Sequence, residues 1–408
     1  VNPAIVITGT GLVTPGGTDT DTTWDSVCAG QSAARRDLEL DGPPVHLSCR
    51  VPGFDPATLL PTRQPWRYDR ATQFLFAAAY EAIHHAGLDH RTWDASRVAL
   101  VIGTAAGGIA TLETQHRKLL STGPGTLSPL TLTAYLPNMA AAHLALELGV
   151  TGPAFHTSSA CASGATAIIT AVLLLHAGQC DIALAGGTDA MITPLCAAAF
   201  TKMGALSTNH DEPSAASRPF DKDRDGFVLA EGAGLLVLER AAHAQARRAR
   251  PLAVLAGHGA TTDAHHPTAP HPEGRGLRSA LTQALNSSSA STGDVDHINA
   301  HGTSTRLNDQ VEAGAIRDLF SHTTPSVTSV KGVLGHTMGA AGAIEAALTV
   351  TSIDRGAAPP TANFSQPDRT TAGLDIITKS PRRQAIHLAL SHSLGFGGHN
   401  TVLAFARP

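Results

Sequence analysis

The stretch that most limits what this chain can become is TAIITAVLLL, residues 166–175, a helix-length run that is apolar on every face. A surface helix needs only one apolar stripe, so a helix apolar all round has to be buried within the fold. Around it, β-rich apolar runs alternate with Ala-rich helical stretches, which predicts a layered α/β architecture. Strands are expected at 4–8, 98–103, 182–185, 234–239, 252–258, 298–300, 326–330, 387–393 and 401–405, with helices at 70–85, 160–177, 309–320 and 339–353. At 408 residues the chain exceeds one simple core and suits two domains or a duplicated fold. The polar, basic, proline-closed segment RAAHAQARRARP, 240–251, is the expected join, giving halves 1–250 and 251–408. Each half opens on a β run and a Gly/Thr turn, AIVITGTGL and PLAVLAGHGATT, a weak internal echo that suggests duplication.

Composition excludes several classes. Charged residues make up 15% of the chain and the net charge is −4, which gives no reason to expect nucleic acid or an anionic membrane as the main partner. No apolar stretch approaches the ~18 residues that a membrane span requires. Cysteines 28, 49, 161, 180 and 196 form no CxxC pair and no metal-ligand spacing with histidine. An odd count with no secretory leader predicts a reducing, cytoplasmic setting. GTGLVTPGG has Thr14 where a dinucleotide fingerprint needs its last glycine, so no nucleotide cofactor is expected there. The histidine-rich DAHHPTAPH, 263–271, is a proline-broken loop without a zinc-like ligand set, and no metal site is expected.

Cys161 is placed one or two residues inside the start of the buried helix, among the small neighbours Ala162, Ser163 and Gly164. A thiol there is expected to feel the helix dipole and free backbone N–H groups, which favour the thiolate. A packing role is the plain alternative, and Cys180 and Cys196 keep it. His301 follows the strand HINA, and His336 follows another strand just before a small-residue helix. Ligands of α/β sheets gather at such carboxyl ends. In SLGFGGHN, three glycines surround Phe396 in a turn that can aim a backbone N–H at a substrate oxygen. Lys331 and Glu345 flank His336 at a spacing that allows an ion pair to fix its loop.

SSACASGA, NAHGTST, SVKGVLGHTMGAAGAIE and SLGFGGHN, in that order, together with AASRPFDKDRDGFVLAEGAGLLVLE, resemble the beta-ketoacyl-ACP synthases of the thiolase superfamily along essentially the whole chain. The resemblance implies a five-layered αβαβα thiolase fold of two duplicated halves. It makes Cys161 the acylated nucleophile and gives His301 and His336 the enolate formed when malonyl-ACP loses carbon dioxide. It assigns the backbone N–H groups of Cys161 and Phe396 to an oxyanion hole, Phe396 also to a gate, and Lys331 with Glu345 to a supporting pair. Thr303 and Thr305 match threonines that hold the pantetheine arm, Ala106 matches an acyl-pocket gate, and Arg63 and Arg67 match residues that grip the carrier protein. No cofactor is implied beyond substrates carried on the phosphopantetheine arm of acyl carrier protein.

Within the family, TRLNDQVEAGA, APPTANFSQPD and the small Ala106 resemble the catalytic alpha subunit of type II polyketide synthases, paired with a chain-length-factor-like homologue. The fatty-acid elongating beta-ketoacyl-ACP synthase II, a homodimer, is the alternative. An inactive chain-length factor is disfavoured by Cys161, and thiolases or synthase III enzymes by the two histidine motifs.

Overall fold

A computed structural model describes residues 3–40, 44–60 and 64–408. The first half contributes strands β1 (Ile5–Val13), β2 (Val98–Gly103), β3 (Ala154–Thr157), β4 (Ile182–Ala190) and β5 (Leu229–Arg240). The second contributes β6 (Ala253–Thr262), β7 (His297–Asn299), β8 (Ser326–Thr328), β9 (Leu388–Gly395) and β10 (His399–Ala406). Outward from the centre the orders are β1-β5-β4-β2-β3 and β6-β10-β9-β7-β8. The pairings repeat as well: antiparallel, antiparallel, parallel, parallel in each half. One topology is thus used twice. Among the described residues the two sheets pair only where Ile5, Val6 and Ile7 of β1 meet Leu255, Val254 and Ala253 of β6.

Five layers result. Helix α1 (Arg70–His85) covers the outer face of the first sheet, and α3 (Arg275–Ser287), with α4 (Arg306–Leu319) against it, covers the outer face of the second. Between the sheets lie α2 (Ser163–His176) and α5 (Ala341–Arg355), touching β4 and β2 on one side and β9 and β10 on the other. This middle layer explains the all-round apolarity of residues 166–175: Ile168, Ala171, Val172 and Leu175 of α2 join Ala343, Ala346, Ala347 and Val350 of α5 in one core. The helices cross closely because the crossing carries no side chain. A Cβ on Gly164 would lie 2.8 Å from the Ala343 nitrogen.

Some local expectations needed correction. The central helix begins at Ser163, not 160, and strand 182–185 extends to Ala190. The short edge strand β3, helix Ile109–Thr122 and helix α3 were not expected. The first two are largely exposed and lack a clean buried face, whereas α3 buries Leu277, Ala280, Leu281, Ala284 and Leu285 at helical spacing and was legible. No helix among the described residues is long and apolar enough to cross a membrane.

Candidate active site

Every predicted catalytic side chain follows a strand's carboxyl end. The chain leaves β3, and Ala160 takes a left-handed φ of 51° before Cys161. The side chain of Ser163 locks that bend, accepting from Ser159 N at 3.0 Å and donating to the Ala160 carbonyl at 2.6 Å. Cys161 therefore stands before the helix, not inside it, with Ala162 between it and the first helical residue. Cys161 is 9% exposed and lines a cavity of about 500 Å³. Burial pushes that thiol up to about 11, while the Lys331 charge and a hydrogen bond from the Phe396 backbone N–H pull the other way. The expectation of a simple dipole-activated thiolate is corrected accordingly: desolvation outweighs those stabilising groups in the substrate-free protein.

The two histidines converge on this cavity from the other half, their rings 5.4 Å apart and nearly perpendicular. His336 Nε2 lies 3.1 Å from Cys161 Sγ. Its Nδ1 accepts the Met338 N–H at 3.3 Å, an arrangement made possible by Met338 at φ 53°. With Nδ1 occupied as an acceptor, the pattern assigns the ring proton to Nε2, facing sulfur. His301 is held the same way by a different group, since Lys331 Nζ lies 3.3 Å from its Nδ1 and donates to its carbonyl at 2.7 Å. Burial, with the nearby Lys331 charge, pushes both imidazoles well below the ordinary histidine range. Both are neutral donors at neutral pH.

Lys331 and Glu345 form a buried ion pair. The pair ties the two ends of the segment that carries His336, and Lys331 also braces His301. Glu312 also escaped the sequence reading. Its carboxylate accepts the backbone N–H groups of His301 and Gly302 at 2.8 and 2.7 Å, and His392 Nδ1 lies 3.0 Å from it. Burial pushes Glu312 up, yet these hydrogen bonds keep it below the ordinary carboxylate value. On the helix face of RLNDQVEAGAI it looks like any amphipathic glutamate, so no local signal marked it.

Thr303 and Thr305, hydroxyls 2.9 Å apart, line the cavity together with Phe396, whose ring centre lies 6.4 Å from that of Phe200. Ala105 lines it and Ala106 does not; Ala106 packs behind, against the cluster of Cys161, Met191, Ile192 and Cys196. Three of the chain's four methionines, Met191, Met203 and Met338, are in the wall. Loop 263–271 supplies Asp263, Thr268, Ala269 and Pro270, so the histidine-rich string is a wall of the cavity. Among the described residues no three His, Cys, Asp or Glu side chains group as metal ligands. Arg67 is exposed, away from the cavity lining, and donates to Gln64 Oε1 at 3.1 Å. Arg63 lies outside the described residues.

Residues 2–244 match the N-terminal domain of beta-ketoacyl synthase and residues 252–365 its C-terminal domain. The chain belongs to the beta-ketoacyl synthase family. It is similar to the 3-oxoacyl-[acyl-carrier-protein] synthase 2 of Synechocystis sp., 40% identical over 409 residues, covering 99% of this chain and 98% of that one. With the enzyme of the same name from Staphylococcus aureus it is 39% identical over 410 residues, covering 100% and 99%. Among solved structures it resembles the ishigamide ketosynthase/chain length factor, with TM-score 0.93 and 31% identity over the full length of both chains. This synthase is a condensing acyltransferase of the thiolase fold, and its cavity places a thiol and two neutral imidazoles within reach of one substrate.

Proposed function

We propose that this synthase joins an acyl group held on Cys161 to a malonyl unit delivered by acyl carrier protein, as the ketosynthase subunit of a type II polyketide synthase. The observation that carries the chemistry is the pair of N–H donors, His301 Nε2 and His336 Nε2, in the same cavity as the thiol. In the first half-reaction the thiol proton leaves to water and the sulfur attacks the incoming thioester carbonyl. The C–S bond to the pantetheine breaks, and the departing thiolate takes a proton. In the second, the malonyl C–C bond breaks, carbon dioxide leaves, and negative charge moves to the thioester oxygen, where two fixed N–H groups lower the barrier. The carbanion end attacks the Cys161 thioester, whose oxyanion faces the backbone N–H groups of Cys161 and Phe396. That attack forms the new C–C bond, and collapse breaks the C–S bond and frees the Cys161 sulfur as a thiolate, which takes up a proton.

The polyketide branch is supported by the small Ala105 at the cavity, with the small Ala106 packed behind it, and by likeness to a ketosynthase/chain length factor. A dimer partner, a related chain in this reading, is supported by the open edge of β3 and by exposed Leu132, Leu146 and Leu173. Identity to 3-oxoacyl-ACP synthase 2 favours a second reading, elongation of saturated fatty acyl chains by a homodimer. The test is mass spectrometry of acyl carrier products from the purified chain alone and from the chain co-expressed with a cysteine-less homologue. Long polyketide products from the mixed dimer support the polyketide branch. A stable homodimer that elongates saturated chains as fast as the mixed one overturns it.

A further inference from the structure

Asp189, the penultimate residue of β4, is fully buried and takes part in none of the steps above. Its Oδ1 accepts from the Thr104 hydroxyl at 2.7 Å and from Ala106 N at 3.4 Å. Its Oδ2 accepts from Ala105 N at 2.9 Å and from Gly339 N at 2.7 Å. Three of these donors belong to the loop after β2, which carries the cavity-wall residue Ala105. Thr104 Oγ1 tightens that loop further by accepting Gly107 N at 2.8 Å. The fourth belongs to the loop of the other half, next to Met338, whose N–H sets the His336 tautomer. Gly339 is required at this junction, since a Cβ there would sit 2.4 Å from Asp189 Oδ2 and 2.5 Å from Ala105 N.

We propose that Asp189 is a positioning residue that locks the acyl-cavity loop 104–107 to the His336 loop, so that a disturbance on either side is felt in both half-reactions. A buried carboxylate saturated by four donors from two halves of a fold is costly unless all four are kept, because each freed N–H would itself be buried and unpaired. Burial pushes Asp189 up to about 6 even against these donors, a measure of how dry the junction is. The inference rests on the ketosynthase reading, and its test compares variants with the native chain, so a native chain that loads no acyl group fails that reading and not this one.

The experiment uses Asp189→Asn, which turns an amide NH₂ toward backbone donors, Gly339→Ala, which inserts a methyl into the junction, and Thr104→Val, which deletes two bonds, those to Asp189 Oδ1 and from Gly107 N, on the acyl side only. Rates are expressed per Cys161 thiol that alkylates in the native, size-selected fraction, so misfolded protein, whose other cysteines would also react, is not counted. Carbon dioxide release from malonyl carrier protein, the chain-length profile of acyl loading, and the ¹⁵N shifts of His336 are measured. Asp189→Asn is expected to lower carbon dioxide release about tenfold, flatten the chain-length profile and mix the His336 tautomers. Gly339→Ala is expected to do the same, with the double variant no worse than the poorer single one. Thr104→Val touches only the acyl loop yet is expected to slow carbon dioxide release severalfold, and it carries the test where Asp189→Asn does not fold. Unchanged carbon dioxide release per thiol in Thr104→Val, or losses that multiply in the double variant, overturns the proposal.

Discussion

Lys331 grips His301 at two points, with Nζ 3.3 Å from the ring Nδ1 and 2.7 Å from the backbone carbonyl, while its charge is matched by Glu345. Structural and chemical roles of this pair can be separated. Lys331→Met leaves Glu345 buried without its cation and should cost about 3–5 kcal/mol in urea unfolding. Lys331→Met/Glu345→Leu should recover most of that stability and still release little carbon dioxide from malonyl carrier protein. Native-like release in the double variant would show that the lysine does not set the His301 tautomer.

His301→Ala and His336→Ala should each slow decarboxylation by about 10²–10³, the usual worth of one oxyanion donor. Acyl transfer to Cys161 should persist in both, because the ring nitrogen that faces the sulfur, His336 Nε2, already carries a proton and is no base for the thiol. Intact-mass spectrometry of the acyl enzyme, run beside a carbon dioxide assay, separates the two effects. Equal collapse of both reactions would reject the division of labour.

Cys161 should behave as a mostly protonated thiol in the substrate-free enzyme, since burial lifts it to about 11. Its folded pKa is raised, so the thiolate fraction should climb about tenfold per pH unit from 7 to 9. Alkylation by a small neutral reagent, followed by intact mass, should rise across that window. A plateau near pH 7 would mean that the helix terminus outweighs desolvation. Cys161→Ala should abolish acyl loading.

Ala105 and Ala106 should differ. Ala105→Ile intrudes into the cavity directly and should shorten products in the mass spectrum. Ala106→Ile overpacks the cluster behind Cys161, costing about 1–3 kcal/mol of stability, and should act on chain length only by displacing Met191 or Ile192. A longer product from Ala105→Ile would contradict this placement.

Arg67, exposed beside the half-buried Tyr68, is proposed to meet the acidic carrier protein. Arg67→Glu should raise KM for acyl carrier substrates and leave a small acyl thioester nearly unaffected, because long-range charge steers docking. Matching losses with both substrates would point to misfolding instead.

How much of this was legible in the chain follows from how far apart the interacting groups lie. The buried helix behind Cys161, the strands ahead of His301 and His336, and the glycine turn around Phe396 are written in consecutive residues, because strand and helix periodicities are local. The motif matches carried the thiolase fold and the family for the same reason. Tertiary structure alone decided that Lys331 serves His301, that Glu312 clamps the His301 backbone, that Asp189 ties loop 104–107 to Gly339, and that loop 263–271 walls the cavity. These contacts join groups from different loops and helices, often from both halves, which meet only after two repeated sheets close on a shared helical layer. Desolvation is decided at the same moment. A thiol at a helix start is activated in isolation, and only burial in the folded protein raises Cys161 to about 11 and keeps both imidazoles neutral.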